Sequence, residues 1–528
     1  MNKIGFKNFR RFLDFEPIEY SDITFLVGRN NSGKSTLVKA ILLIDGFFKS
    51  NQLKKFSFGN NVLEDANIVT YDRARNQFAE ENLIQFSYAF DSFLVTIIIS
   101  SEEQKTDADV HLFSIKDTKN QYEFVIEPQL ESISFKRSKT ENDHIGNTLV
   151  NLMNEIQRLE EYVKSTELKK SSRDFIEAND KLQALKTKRN LIVHHRNSDD
   201  ELDMVNEPAT EYNSYIESQD DFEYSMSFYC PEEETLTGLI DELFRSNEVI
   251  HHKEFKEIQG GAEANKDFKN YRAFHIDRTN IRDSFERFKK LIAQASYYYL
   301  GANLTKQSAL FAIRDRKNPL AQAIHDFNQL SIPKGERTYA FLKKWMKIFE
   351  VGDSFEINIY GGEAYEVIVF SNNARIQLAD KGMGSIQAML LLFRLAYIIY
   401  KTKKENYRPI VLIEEPELNL HPALQSKLAD LFLEVHKQHG VDFILETHSE
   451  YILRRSQVIV AEGSYAGELG ENPFCVFYFP KDLKEKPYRL NYNNDGTFDK
   501  DFGLGFFDEA SKSTMQILRL RRQKRKND

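Results

Sequence analysis

The chain has 528 residues, enough for about three average domains or for one large α/β unit that carries insertions. Hydrophobic residues make up 41% and charged residues 29%, which excludes a collagen-like, low-complexity or wholly disordered chain. The net charge of −9 disfavours a protein that coats nucleic acid through charge alone. Two cysteines are too few for a disulfide framework, and no apolar stretch reaches the ~20 residues that cross a bilayer. We therefore expect a folded cytoplasmic protein.

The first chemical motif is a glycine-rich loop near the N-terminus. Residues 23–27 form a short apolar strand pattern, residues 28–35 read Gly-Arg-Asn-Asn-Ser-Gly-Lys-Ser, and apolar residues at helical spacing follow. This order is typical of a phosphate loop, in which backbone N–H groups and a helix N-terminus face an anion. Lys34 is expected to reach the β and γ phosphates, and Ser35 to bind Mg²⁺. The residues expected to contact nucleotide are Gly28, Asn30, Asn31, Ser32, Gly33, Lys34, Ser35 and Thr36.

Two strand patterns late in the chain end in polar residues. Residues 410–413 resemble a buried strand that leads into Glu414 and Glu415, and a second apolar run leads into Glu-Thr-His-Ser at 446–449. Ligands of α/β folds bind at the C-terminal ends of strands. We expect Glu414 to hold Mg²⁺, directly or through water, and Glu415 to orient and deprotonate the attacking water. His448 could contact the γ-phosphate or the same water.

A glycine-serine segment lies roughly 30 residues before the first acid pair. Gly382, Gly384 and Ser385 precede a helical pattern from residue 388 toward residue 400, and this arrangement resembles an anion-binding helix start. A plain helix cap explains the segment equally well when it is taken alone. Its position before the acids favours the anion site.

In this order the four motifs resemble those of the ABC-type ATPases of the RecF, SMC and OLD group. Phe-Lys-Asn-Phe-Arg at 6–10 is similar to the group's N-terminal strand, and Leu-Asn-Leu-His-Pro at 418–422 follows the acids. The nearest likeness is to OLD-like and Septu-type ATPase subunits of bacterial anti-phage defence systems. The resemblance implies an α/β fold, a P-loop ABC-type ATPase head with a mixed sheet and flanking helices. It also implies ATP, Mg²⁺ and a dimer that closes around two nucleotides.

The same resemblance suggests roles for single residues. By carry-over, Glu414 is the metal ligand, Glu415 the base and His448 the switch histidine. Glu414 stands where many relatives have Asp. The glutamine that contacts Mg²⁺ in relatives is not identifiable, and Gln77 and Gln85 are both candidates. The residues that would act on the partner's phosphate loop are Gly382, Gly384 and Ser385.

Roughly 380 residues separate Lys34 from Glu414, so substantial insertions must divide the head. Helical patterns predict a helical or coiled-coil hairpin at 147–195, an acidic linker follows at 198–223, and helical patterning returns at 271–300. The predicted organisation is an N-terminal half of the head at 1–100, an insertion at 101–290, a C-terminal half at 291–510 and a basic tail at 511–528.

Arg189 and His194 form an Arg-Asn-x-x-x-His pattern that resembles the motif of HEPN ribonucleases. In such sites the arginine supplies charge and the histidine acid or base chemistry. A helix terminus with incidental polar residues is the simpler interpretation, because only one copy is present.

The sequence thus predicts a switch ATPase that controls a separately encoded effector in anti-phage defence, with a nuclease as the favoured effector. A RecF-like ATPase of DNA repair, an embedded HEPN-like ribonuclease and a scaffold that hardly hydrolyses ATP are the alternatives. The basic tail could contact DNA, RNA or an acidic partner, or remain a disordered extension.

Overall fold

This computed structural model describes residues 2–20, 22–50, 52–58, 68, 70–137, 222–227, 238, 262–302, 310–313, 315, 318–405, 408–463, 465, 471–482, 485–503 and 509–527. The predicted hairpin at 147–195, with Arg189 and His194, lies outside the described residues. Residues 198–221 of the predicted acidic linker also lie outside them.

Antiparallel strands form the first sheet. Alternate side chains such as Ile84, Phe86 and Tyr88 are buried, as the alternating pattern of residues 78–100 predicts. Its strands are β1 (Asn2–Phe9), β2 (Phe12–Tyr20), β4 (Lys55–Ser57), β5 (Ile84–Phe90), β6 (Phe93–Ser100), β7 (Asp107–Asp117), β8 (Tyr122–Glu127), β9 (Ser132–Arg137) and β10 (Phe222–Ser227). The order is β10-β9-β8-β7-β6-β5-β1-β2, with β4 beside β7. The sheet therefore continues past residue 100 into the region predicted as an insertion.

A second, mostly parallel sheet carries the motifs. Its strands are β3 (Ile23–Gly28), β11 (Ala295–Leu300), β16 (Arg408–Glu414), β17 (Asp442–Glu446), β18 (Phe474–Phe479) and β19 (Tyr488–Leu490). Their order is β11-β16-β17-β3-β18-β19, and in the described pairings β19 alone runs antiparallel to its neighbour. β3 and β18 are buried throughout, as expected for strands covered on both faces.

Helices cover both faces of the parallel sheet. The α-helices of the described residues are α1 (Lys34–Lys49), α2 (Tyr71–Ala74), α3 (Ala262–Gln294), α4 (Pro319–Gln329), α5 (Arg337–Ile348), α6 (Met383–Glu405), α7 (Pro422–His439), α8 (Glu450–Glu462) and α9 (Glu509–Asn527), of which α1 and α3 to α8 pack in the cores beside the sheet. Leu26 of β3 faces a core shared with α1, α3 and the antiparallel sheet, whereas Phe25 and Val27 face a core shared with α4 to α8. The parallel sheet thus separates two hydrophobic cores. α7 begins at Pro422, since proline suits the first turn of a helix, and it ends before Gly440, which has φ of 65°.

A small antiparallel sheet precedes the glycine-serine segment. It consists of β12 (Phe311–Ala312), β13 (Ser354–Tyr360), β14 (Ala364–Ser371) and β15 (Ala374–Gln377). The turn between β13 and β14 passes through Gly361 and Gly362, both at positive φ, which confirms the hairpin predicted from this glycine pair.

The helix after the glycine-serine segment is longer than its sequence pattern predicts. It begins at Met383 rather than at residue 388, because the backbone N–H groups of Ser385 and Ile386 already bond to the carbonyl of Gly382. Over Met383–Lys404 this helix is apolar and long enough to cross a membrane, but 67% of that window is buried inside the protein. Leu392 and Phe393 are fully buried in the second core, so α6 packs as a core helix of this fold.

Two further expectations differ from the structure. The helical pattern at 271–300 ends at Gln294, and Ala295–Leu300 forms a strand that pairs in parallel with β16. Three consecutive tyrosines favour a strand there, and its hydrogen bonds come from β16, a strand much further along the chain. The basic tail is part of helix α9, whose described side chains, Lys512 among them, are exposed.

Candidate functional site

The parallel register brings the predicted motifs to one edge of the sheet. β17 lies between β3 and β16, so Glu446 is opposite Leu26 on one side and Glu414 on the other. Because all three strands run in the same direction, the phosphate loop after β3 and the polar clusters after β16 and β17 lie side by side. The two strand ends predicted to carry the chemistry therefore meet at the phosphate loop.

The phosphate loop has the conformation that its glycines allow. Gly28 and Gly33 have φ values of 150° and 102°, and a Cβ on either would meet another atom at 2.4–2.5 Å. The hydroxyl oxygen of Ser32 is buried and has no hydrogen-bond partner among the described residues. A buried hydroxyl without a partner is costly, so this loop is built for a polar ligand.

Lys34 and Ser35 both contact a residue that was given no role in the sequence interpretation. The Lys34 Nζ donates hydrogen bonds to the carbonyl oxygens of Gly28 and Arg29, each at 3.1 Å, and lies 3.5 Å from Glu446 Oε1. The Ser35 hydroxyl donates to Glu446 Oε2 at 2.7 Å. Burial lowers the pKa of Lys34, while the neighbouring carboxylate of Glu446 opposes that shift. Glu446 thus binds the two side chains predicted to hold phosphate and metal.

The acid pair after β16 is held in an unusual conformation. Glu415 adopts φ of 48°, which is strained for a residue with a side chain, and its N–H donates to the carbonyl of Glu446 at 2.8 Å. Glu414 Oε1 is buried without a hydrogen-bond partner in the described structure. Burial raises the pKa of Glu414, and the adjacent carboxylate of Glu446 adds to the increase. Such strain and like-charge crowding occur most often at functional sites.

His448 lies beside the predicted base. Its Nε2 is 3.9 Å from Glu415 Oε1, and its backbone N–H donates to Glu417 Oε1 at 2.7 Å. Burial, and secondarily the positive charge of Lys34, lower the pKa of His448 to about 4. The imidazole is therefore neutral near pH 7, so its contact with Glu415 is not an ion pair.

A cavity of about 540 Å³ opens in front of the phosphate loop. Asn31, Ser32, Gly33, Lys34, Ser35 and Thr36 of the phosphate loop line it, together with Glu446. Gln77 also lines the cavity, whereas Gln85 lies in β5 and donates a long hydrogen bond to Ser87. Gly28, Asn30, Glu414, Glu415 and His448 are not among the described lining residues. The cationic lining residues are Arg10, Arg11, Lys34, Lys39, Arg73 and Arg75.

These cations give the cavity a positive potential. The described lining includes six cationic side chains but only two acidic ones, Asp72 and Glu446. A concave site with such an excess of positive charge favours a polyanion such as a nucleoside triphosphate. Neither Arg73 nor Arg75 is predicted from the sequence, because they reach the cavity from α2 and from the residue after it, far from the phosphate loop along the chain.

The glycine-serine segment does not line this cavity. Gly382, Gly384 and Ser385 are not among the described residues that line it. A Cβ on Gly382 would meet nothing within 4 Å, and Gly382 is exposed to solvent. The surface at Gly382 is therefore open to a second molecule.

A family model described as an AAA ATPase domain matches residues 1–453. The chain belongs to the AAA ATPase domain family. It is an ATPase with the mixed α/β architecture of a P-loop, ABC-type ATPase head. The phosphate-loop cavity is the candidate nucleotide site. No curated protein matches the chain.

The AAA ATPase chain is also similar to solved Smc heads. The Smc head domain with an extended coiled coil, bound to the C-terminal domain of ScpA, from Pyrococcus furiosus is 12% identical, with a TM-score of 0.35 over 99% of this chain and 100% of that one. The Smc head domain with a coiled coil and joint from Pyrococcus yayanosii is 11% identical, with a TM-score of 0.36 over 93% and 98%. A Smc head bound to the C-winged helix domain of ScpA is 12% identical, with a TM-score of 0.34 over 94% and 95%.

Proposed function

We propose that this ATPase is a nucleotide-driven switch in which two protomers close around two ATP molecules. The observation that carries the proposal is that the glycine-serine segment does not line the cavity of its own chain, within the described residues, while Gly382 faces solvent. Gly382 is exposed and has free space around it, so a second protomer could bring its phosphate loop there. By the family resemblance, Gly382, Gly384 and Ser385 then complete the partner's nucleotide site.

We infer that ATP binds with Mg²⁺, which supplies positive charge to the β and γ phosphates. The donor set suits a hard cation, because Ser35 offers a hydroxyl, and the buried Glu414 Oε1 has no hydrogen-bond partner among the described residues. Glu414 and Ser35 are the residues that would hold the ion.

The remaining chemistry follows from Glu415 and His448. Glu415 lies at the end of β16, where a carboxylate can orient and deprotonate the attacking water. Neutral His448 beside it can donate or accept one hydrogen bond to that water or to the γ-phosphate. Lys34 and the surrounding cations would stabilise the charge that develops on the phosphates.

The proposed cellular role of the ATPase rests on the resemblance to OLD-like and Septu-type ATPases. We propose that the protein acts in the cytoplasm and that its nucleotide state controls a separately encoded effector, with a nuclease as the favoured candidate, in anti-phage defence. A pull-down with Glu415→Gln in the presence of ATP tests this step. Recovery of a distinct effector would support it, whereas recovery with DNA alone would favour the repair ATPase and recovery with RNA alone the ribonuclease.

The dimer is tested separately by analytical ultracentrifugation. Glu415→Gln should bind ATP, lose at least about 100-fold in turnover and sediment as a dimer only when ATP is present. Lys34→Ala should remain monomeric under the same conditions, because it cannot retain the triphosphate. A Glu415→Gln protein that stays monomeric at saturating ATP would contradict the switch.

A further inference from the structure

We propose that Glu446 is a metal-facing carboxylate of this ATPase, and that it occupies the cation side of the phosphate loop when nucleotide is absent. The inference rests on the Mg²⁺ site proposed above, and it extends that site to a third residue. Its evidence is the position of Glu446 relative to Lys34 and Ser35.

The first step is the geometry of the carboxylate. Glu446 Oε2 accepts a hydrogen bond from the Ser35 hydroxyl at 2.7 Å, and Oε1 lies 3.5 Å from the Lys34 Nζ. Glu446 is only 7% exposed, and it lines the cavity. A carboxylate within one hydrogen bond of the hydroxyl that ligates the ion lies within reach of that ion.

The second step is the comparison with Glu414. β17 is the immediate neighbour of β3, and β16 lies one strand further away. Glu446 therefore lies between Glu414 and the phosphate loop, and Glu414 is not among the described residues that line the cavity. Two carboxylates on adjacent strands repel each other, and a divalent cation bound between the phosphates and these groups would relieve the repulsion.

The third step concerns the charge of Lys34. Glu446 provides the negative charge that the buried Lys34 ammonium requires. Metal-free ATP would bring its phosphates against the same carboxylate and would have to displace it. With Mg²⁺, Glu446 can turn from Lys34 and Ser35 to the ion. The preference for Mg²⁺-ATP over metal-free ATP should therefore depend on Glu446.

The test measures the affinity of a fluorescent, non-hydrolysable ATP analogue with Mg²⁺ and with EDTA. In the wild type Mg²⁺ should tighten binding. In Glu446→Gln the ratio of the two affinities should fall at least about tenfold, because metal-free binding becomes tighter and Mg²⁺ binding weaker. Glu450→Gln is the matched control. Glu450 is four residues further on and pairs with Arg454 at 3.1 Å on the protein surface, so the ratio should not change.

The possible results distinguish a failure of the role of Glu446 from a failure of the proposed Mg²⁺ site. If the wild type binds the analogue equally well with Mg²⁺ and with EDTA, the result contradicts both the proposed Mg²⁺ site and this inference. If Glu446→Gln keeps the affinity ratio of the wild type while Glu414→Gln loses the preference for Mg²⁺, only the role of Glu446 is overturned.

If Glu446→Gln does not fold, Glu446→Cys replaces it. Cd²⁺ should then restore binding better than Mg²⁺, because a thiolate prefers the softer ion, and equal binding would contradict the inference.

Discussion

The α-carbon of Gly384 packs against the carbonyl oxygen of Asn419, so closely that a Cβ on Gly384 would lie 2.6 Å from that oxygen. This contact joins the first turn of α6 to the loop that follows the acid motif. Asn419 itself has φ of 63°, in the left-handed region that asparagine tolerates better than most residues. The glycine-serine segment and the loop after the acid motif are thus in direct contact within one chain.

Gly384→Ala should therefore destabilise the protein even without nucleotide. The added methyl group must displace backbone rather than a side chain, and overpacking of this kind costs about 1–3 kcal/mol. Gly382→Ala is the matched control, since nothing lies within 4 Å of its Cβ position. Thermal unfolding should show a lower midpoint for Gly384→Ala alone. Under the proposed dimer, Gly382→Ala should still lower ATP turnover, and equal melting of both variants would contradict the packing argument.

Gln77→Ala should reduce hydrolysis more than Gln85→Ala. Gln77 lines the nucleotide cavity, whereas Gln85 is part of β5 and its side chain donates to Ser87. Loss of a group that positions the metal or the attacking water lowers turnover by about 10- to 100-fold. Steady-state phosphate release measures both variants, with circular dichroism to show that each is folded. A larger loss in Gln85→Ala would assign the role of the missing glutamine to the other candidate.

Arg287→Ala should loosen the attachment of α3 to the antiparallel sheet. Arg287 donates to Asp117 Oδ1 at 2.7 Å, and Asp117 is fully buried, with Ser284 on its other oxygen at 2.7 Å. Removing the cation leaves a buried carboxylate without its charge partner, which costs about 3–5 kcal/mol. Urea denaturation followed by circular dichroism measures the loss. Lys105→Ala, which breaks the exposed pair with Glu102, is the control and should leave the free energy of unfolding nearly unchanged, because water screens a pair on the surface.

His436 should make stability depend on pH at the edge of the parallel sheet opposite the nucleotide site. Burial disfavours its charged form, but the hydrogen bond to Asp442 and the charge of Asp22 outweigh burial and raise the pKa of His436. Arg408 is the other charged group at this cluster, and it pairs with both aspartates. A raised pKa means that the charged histidine stabilises the fold below its ordinary pKa, and that this contribution is lost as pH rises through the folded-state pKa.

The measurement compares the melting temperatures of the wild type and His436→Gln between about pH 6 and pH 9. The wild type should be the more stable protein at the acidic end, and its advantage should shrink as the pH increases. A difference that is constant across this range, or that grows toward alkaline pH, would show that the charged imidazole does not contribute.

Local patterns in the sequence were sufficient to predict the motif-bearing elements. β3, α1, β16, α7 and β17 form where apolar spacing, the glycines of the phosphate loop, Pro422 and Gly440 predict them. Each of these signals acts over a few residues. The same reasoning failed at Ala295–Leu300, because this strand requires pairing with β16, more than a hundred residues away. The start of α6 was also predicted several residues too late, because hydrogen bonds to the carbonyl of Gly382 extend the helix beyond its apolar pattern.

The sequence by itself therefore determined that the chain has a phosphate loop, two acidic strand ends and a histidine in the order of an ATPase. Only the tertiary structure decided which side chains meet. It brought Glu446 to Lys34 and Ser35, placed Arg73 and Arg75 in the lining of the cavity and left Gly382 outside that lining. The physical reason is that a motif can be recognised from the backbone conformation that a few neighbouring residues require. Contacts between distant segments depend instead on strand register and on the packing of two cores against one sheet.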